Sequence, residues 1–291
     1  MRLHMFAVVL LACGTASACA SLDKEPSKTE HISVDAAADF KAAAYTPSSG
    51  VGDYQTAATK GRAEWLSCRL KTARATMLLM HSDRQGYDPA SFCRGWHAQA
   101  FLSAGYDVVA INRPGFGNSS GTPDFTGPTS IAAMAVLPIA LASAKLPHAV
   151  TGVWGYGSGA TAAALVAKQL KGLKFLMVGG GIYDYEEALR ATTDQATKAD
   201  ITAIKNLGGD KAIEERSVAY EITALPPSIT VYHGANDSVA PLNQAKAFAD
   251  ALISSGHYKV SYQLLNNQPH DIPWVYHRHV LEAMLNGVTA P

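Results

Sequence analysis

The sequence predicts an α/β protein with a mostly parallel central sheet, helices on both faces and a small helical insertion. Three observations carry this expectation. From about Glu64 to the C-terminus, apolar runs of strand length alternate with segments of helical spacing. Hydrophobic residues make up 48% of the 291 residues and charged residues only 16%, enough apolar surface for a large core. Some strand-like runs, such as Ala75–His81, are nearly unbroken in apolar character, as expected where both faces of a strand are covered. The 24 Lys and Arg offset 24 Asp and Glu, so the chain offers no basic excess to a nucleic acid. With 24 Gly, 14 Pro and 4 Cys in no short period, collagen, coiled coil and disulfide scaffold are excluded.

The N-terminus reads as a targeting segment over residues 1–20. Arg2 and His4 precede an apolar run from Met5 to Ala12, and small residues follow through Ala20. That run is far shorter than the ~20 residues needed to span a bilayer. Ala18-Cys19-Ala20 fits cleavage before Ser21, while Ala16-Ser17-Ala18-Cys19, or Leu10-Leu11-Ala12-Cys13, fits a bacterial lipobox that would leave a lipidated cysteine. The expected location is therefore outside the cytoplasm: periplasm, cell envelope by a lipid anchor, or secreted. Residues 21–62 are polar and Ala-rich, with Pro47, Ser48, Ser49 and Gly50, and read as a tether with a short helix at Asp35–Ala44. Residues 63–291 form the expected domain. Cys68 and Cys93 are the cysteines left in its body, open to pairing in an oxidising compartment or to remaining buried thiols.

Within the domain, Glu64–Leu70 and Ala75–His81 read as strands. Pro89–Ala104 has helical spacing, with Phe92, Trp96, Ala100 and Phe101 on one side, and stops before Gly105. Tyr106–Ile111 is a strand, Thr129–Lys145 a helix despite Pro138, Ala149–Trp154 a strand, Ser158–Leu170 a helix and Lys174–Val178 a strand. The more charged stretch Tyr183–Tyr220 interrupts the rhythm and reads as a helical, cap-like insertion at 183–220. Ser228–His233 and Tyr258–Leu265 return to strand, with helices at Asn243–Ile253 and Trp274–Leu285.

In such a sheet reactive groups gather at the carboxyl ends of the strands. The strand at Val150–Trp154 runs into Gly155-Tyr156-Gly157-Ser158-Gly159-Ala160 and then a helix. The letters satisfy the dinucleotide pattern G-x-G-x-x-G/A, but the next strand ends in Val178-Gly179-Gly180-Gly181, with no acid before Asp184 to hold a ribose. No cofactor is therefore expected. No Cys/His cluster has metal-ligand spacing, so no metal is expected either. The competing pattern is a nucleophile elbow, G-x-S-x-G between strand and helix, where the flanking residues must be small. With Gly155 and Gly159 as flanks, Gly157 takes the nucleophile position. A shift by one makes Ser158 the nucleophile and puts bulky Tyr156 at a flank. Downstream, Asp237 follows a strand in His233-Gly234-Ala235-Asn236-Asp237, and His270 follows the last strand in Pro269-His270-Asp271. An acid orienting a histidine that takes a proton from a hydroxyl needs this pair of residue types.

From about Glu64 onward the chain resembles the α/β-hydrolases. Met77-Leu78-Leu79-Met80-His81 corresponds to their apolar strand ending in His-Gly, and Asn112-Arg113-Pro114-Gly115-Phe116-Gly117-Asn118-Ser119 is similar to their D-x-R-G-x-G-x-S loop. Ser217-Val218-Ala219-Tyr220 leading to His233–Asp237 and then His270 looks most like the prolyl-oligopeptidase and dienelactone-hydrolase branch. The resemblance implies catalytic roles for Asp237 and His270, an elbow at Gly155, Gly157 and Gly159, and oxyanion donors at Ser82 and Asp83. Three departures stand out. Gly157 replaces the family's serine, Ser82 replaces the Gly of His-Gly with Asp83 beside it, and Asn112 replaces an Asp. Two functions follow. One is an exported serine hydrolase cleaving an ester, amide or short peptide through Ser158, His270 and Asp237. The other is an inactive binding protein on the same scaffold. The partner in either case is a small molecule or short peptide. Phe116, Phe125, Ile182 and Tyr183 are candidates for a partly apolar pocket.

Overall fold

The computed structural model describes residues 44–57, 59–146 and 149–289. The expected signal segment, and the expected helix at Asp35–Ala44 apart from Ala44, lie outside them. Eight strands form one sheet: β1 (Tyr45–Gln55), β2 (Lys60–Leu70), β3 (Ala75–Met80), β4 (Tyr106–Ile111), β5 (Val150–Tyr156), β6 (Phe175–Gly179), β7 (Ser228–Gly234) and β8 (Lys259–Leu265). Their order is β1-β2-β4-β3-β5-β6-β7-β8. β1, β2 and β4 pair antiparallel, and every pairing from β4 through β3 to β8 is parallel. The mainly apolar strands β3, β4 and β6 are buried along their whole length, Thr76 and Asp107 included, because helices cover both faces.

The helices are α1 (Trp96–Ser103), α2 (Pro128–Ala133), α3 (Leu137–Ser143), α4 (Ser158–Ala167), α5 (Tyr185–Ala191), α6 (Gln195–Glu214), α7 (Leu242–Ser255) and α8 (Trp274–Thr289). Residues of α2, α3, α4 and α7 pack on one face of the sheet, and those of α1 and α8 on the other. α4 is built from Gly, Ala and Thr with Leu165 and Val166, and it is buried from Gly159 onward. Small side chains let this helix lie close against the middle of the sheet. The insertion forms α5 and α6, with a small core of their own around Tyr185, Ile201, Ile204 and Ile213. Asp184 and Asp194 cap them, accepting from the backbone N–H groups of Glu187 and Thr197.

The structure departs from the sequence reading in three places. Residues 45–55 and 60–62, expected as the end of a tether, form β1 and the start of β2. β1 lacks apolar alternation because it makes room instead of filling it. A Cβ on Gly50 would stand 2.6 Å from the Trp65 ring, and one on Gly52 would stand 2.7 Å from Val136. The helix expected over Thr129–Lys145 is split, since Pro138 lies in the first turn of α3 and a 3-10 turn at Met134–Val136 separates it from α2. Gly95, extended at φ −63° and ψ 143°, likewise divides Pro89–Ala104 into a 3-10 turn at Phe92–Arg94 and α1.

Cys68 in β2 and Cys93 ahead of α1 form a disulfide, with their Cα atoms 5.6 Å apart. It ties the turn that begins α1 to the sheet. A 25-residue separation restricts the unfolded chain by roughly 3 kcal/mol. Among the described residues no helix is long and apolar enough to cross a membrane.

α8 meets the sheet through an aromatic cluster. His277 is buried, stacks on Trp96 with centroids 4.5 Å apart and meets Tyr156 edge-on. The Trp154 indole N–H donates to the Tyr232 hydroxyl, whose own proton can go to His277 Nδ1 at 3.0 Å. Burial pushes the His277 pKa down to about 3.

Two outcomes follow from these contacts. Replacing both cysteines by Ser should lower stability by roughly 3 kcal/mol in urea melts, and a change below about 0.5 kcal/mol would contradict the bridge. For His277, the unfolded chain takes up a proton below about pH 6.5 that the native state excludes down to about 3. Its contribution is therefore lost as pH falls through that window, at up to about 1.4 kcal/mol per pH unit. His277→Gln should flatten the stability profile between pH 6.5 and 4. An unchanged slope would refute the assignment.

Candidate active site

The turn from β5 into α4 is set by close backbone contact. A Cβ on Gly155 would run into the Gly159 carbonyl, and a Cβ on Gly159 would lie 2.6 Å from Met80 O at the end of β3. Gly155 and Gly159 are thus the flanking pair, and the residue between them at the apex is Gly157. Its backbone has φ 58° and ψ −131°, a conformation that costs L-residues strain. A Cβ on Gly157 would meet nothing closer than His270 Nε2 at 3.4 Å. The apex therefore faces the histidine across open space.

His270 lies after β8, and its Nδ1 is 2.8 Å from Oδ2 of Asp237, which lies after β7. The Asp237 side chain is fully buried. Its Oδ1 accepts the backbone N–H groups of Val239 and Ala240, both at 2.9 Å. Because a carboxylate only accepts, Nδ1 of His270 is the donor in this pair, and Nε2 is the ring atom nearest Gly157. Tyr156, between the two elbow glycines, donates its hydroxyl to the His270 carbonyl at 2.7 Å and braces the loop. His233 is a second imidazole on Asp237, with Nε2 2.9 Å from Ala240 O and 3.3 Å from Asp237 Oδ2. Burial holds its pKa below the ordinary value, so it sits neutral as a donor.

Ser158 begins α4. Its Oγ accepts the Asp83 backbone N–H at 2.7 Å and is not within hydrogen-bond distance of His270. The structure therefore joins Asp237 with His270 and directs Ser158 to the loop after β3. The reason is the register of the turn: with Gly155 and Gly159 as flanks, the residue aimed at the histidine is 157, one position earlier.

The Asp83 carboxylate does not face the open cleft as a free charge. Arg113, almost wholly buried, donates to Asp83 Oδ1 at 2.8 Å, to Thr126 Oγ1 and to the His81 carbonyl at 2.6 Å. Burial and the Arg113 charge keep His81 neutral, and its Nε2 accepts the Arg113 backbone N–H at 2.9 Å. The next layer out is organised by Glu64, also buried. It accepts from Asn112 Nδ2 at 2.8 Å, Asn118 N at 3.0 Å and Asn118 Nδ2 at 2.6 Å. An Asp at position 112 would set a second carboxylate against Glu64, which accounts for the Asn found there.

The β5–α4 turn, the loop after β3 and His270 border a cavity of about 430 Å³ between the sheet's carboxyl edge and the insertion. Ser82, Asp83, Gly157, Ser158 and His270 form its floor, and Phe125, Ile182, Tyr185, Ile201 and Ile204 give it apolar walls. Of the four apolar candidates, Phe125 and Ile182 line it. Phe116 packs against His81, and Tyr183 is buried on Phe248. Sequence reasoning missed the α6 wall, the brace by Tyr156 and the Arg113–Asp83 pair. Only the odd placement of Asp83 signalled that a cation had to lie near it. Among the described residues no group of three or more His, Cys, Asp or Glu converges as metal ligands.

No protein-family model matches the chain, and no curated protein matches its sequence. Solved structures do match in three dimensions. An acylaminoacyl peptidase of Pyrococcus horikoshii superposes with a TM-score of 0.64 at 16% identity, over 84% of this chain and 41% of that one. A puromycin-hydrolyzing peptidase of Mycobacterium tuberculosis gives 0.64 at 18%, over 83% and 38%. A Pyrococcus furiosus esterase gives 0.59 at 13%, over 89% and 96%. The chain thus spans about two fifths of the length of those peptidases and nearly all of the esterase. At these identities the likeness is one of architecture, and this chain has the α/β-hydrolase fold.

Proposed function

We propose that the protein is a hydrolase of a carboxylic ester, amide or short peptide bond, with the His270–Asp237 pair as its general base. One observation carries this: a fully buried carboxylate 2.8 Å from His270 Nδ1 orients the ring so that Nε2 lies beside the β5–α4 turn, at the cavity that His270 lines. The pair would stabilise the imidazolium formed when Nε2 takes a proton, then return that proton to the leaving group. The peptidases and esterase that share the fold support the reaction class. The cavity volume is in the range that holds a small ligand, and its mixed walls suit a short acyl or peptidyl group. A second reading, ligand binding without turnover, is favoured by Gly157, which brings no nucleophilic atom to the apex.

Export belongs to the same reading. A disulfide between Cys68 and Cys93 is favoured by an oxidising compartment, and the basic and apolar N-terminal segment fits a secretory or lipoprotein signal.

Two measurements test these proposals. His270→Ala should lower hydrolysis of p-nitrophenyl esters by about 10²–10⁴-fold without loss of folding. Equal rates in the two proteins would leave only the binding reading. The intact mass of the protein isolated from its producing cells should correspond to a chain beginning at Ser21, or to a lipidated Cys19 or Cys13. A chain retaining Met1 would refute export.

A further inference from the structure

The geometry points to water as the nucleophile of this site and to Ser158 as a donor to the oxyanion. This inference rests on the hydrolase reading. Ser158 occupies the position beside the apex, and its Oγ is already an acceptor for Asp83 N–H at 2.7 Å. A serine hydroxyl has one proton to donate, and here that proton remains available to the cavity that Ser158 lines. A hydroxyl polarised by a backbone N–H is a poor nucleophile and a good donor. As the first residue of α4, Ser158 also has a backbone N–H without an intrahelical acceptor, at the positive end of the helix dipole. Ser158 thus has two donors, its hydroxyl and its backbone N–H, to offer a carbonyl oxygen bound in the cavity it lines.

The attacking atom has a place of its own. A Cβ on Gly157 would stand 3.4 Å from His270 Nε2, in ordinary contact. With hydrogen there instead, a water oxygen can lie within hydrogen-bond reach of the Nε2 lone pair, at the apex of the elbow. The step balances without any co-reactant. Water's oxygen bonds to the carbonyl carbon as one of its protons passes to Nε2. The carbonyl electron pair moves to the oxygen held by the Ser158 donors. Collapse of this intermediate breaks the bond to the leaving oxygen or nitrogen, which takes the proton from Nε2. The products are a carboxylic acid and an alcohol or amine, and no acyl-enzyme forms.

The test combines turnover of p-nitrophenyl acetate with fluorophosphonate labelling of the full-length protein, its Ser158→Ala, Ser158→Thr and His270→Ala variants, and Gly157→Ser. The wild type should hydrolyse the ester and take up no label. Ser158→Ala should lower kcat by about 10²–10³-fold with KM held within about threefold, as for an interaction made only in the transition state. Ser158→Thr, which keeps the hydroxyl, should restore most of kcat, and Gly157→Ser should acquire a label on residue 157. An adduct on Ser158 of the wild type would overturn the water route while leaving the hydrolase reading intact. An unlabelled wild type whose kcat is unaffected by Ser158→Ala would overturn the donor role. A wild type no faster than His270→Ala would overturn the hydrolase reading itself.

Discussion

The close approach of α4 to the end of β3 is the constraint from which the site follows. Gly159 lies so near Met80 O that no side chain fits, and Gly155 meets the Gly159 carbonyl in the same way. These two contacts seat the helix on the middle of the sheet and force the intervening chain through a turn with positive φ. The residue at the apex must therefore project towards whatever the β7 and β8 loops supply. They supply His270, oriented by Asp237. Glycine adopts this positive-φ conformation at little cost.

Buried charge organises the loops around that turn. Arg113 and Asp83 would each be costly alone in the interior, and removing either would strand the other. Together with Thr126 and the His81 carbonyl they satisfy most of each other's polar atoms, joining the loop after β3 to the loop after β4. This clamp pairs the Asp83 carboxylate with Arg113 and Thr126 while its backbone N–H reaches Ser158. Farther from the cavity, Glu64 acts in the same way by gathering Asn112 and Asn118. The consequence is that the loops after β3 and β4, the first of which carries Ser82 and Asp83 into the cavity floor, are held by buried side-chain contacts.

The insertion contributes a wall of the cavity. α5 and α6 bury a small core of their own, and α6 is interrupted at Gly208–Gly209, where the backbone leaves helical angles. Its first turns carry Ile201 and Ile204 into the cavity, and Asp200 pairs there with Arg84 from the loop after β3. The His270–Asp237 pair and much of the cavity's apolar wall thus come from different layers, one tied to strand ends and the other to the inserted helices.

Much of this was legible in the linear sequence. Apolar runs locate the inner strands β3 to β7, because burial on both faces leaves a pattern that no solvent-facing segment needs, while the edge strand β8 is located by its alternation. The order of Gly157, Asp237 and His270 along the chain could likewise be read, since each follows a strand. β1 was not legible, because its role is to be small where Trp65 and Val136 are large, and absent side chains leave no period. Pairing of Cys68 with Cys93 depends on how α1 docks on β2. The fate of Ser158 was decided by tertiary structure as well. Two candidate registers were open in Gly155-Tyr156-Gly157-Ser158-Gly159, and only the contact of Gly159 with Met80 selects between them. Sequence determines which residues can react, whereas the angle at which a helix meets a sheet determines which of them face each other.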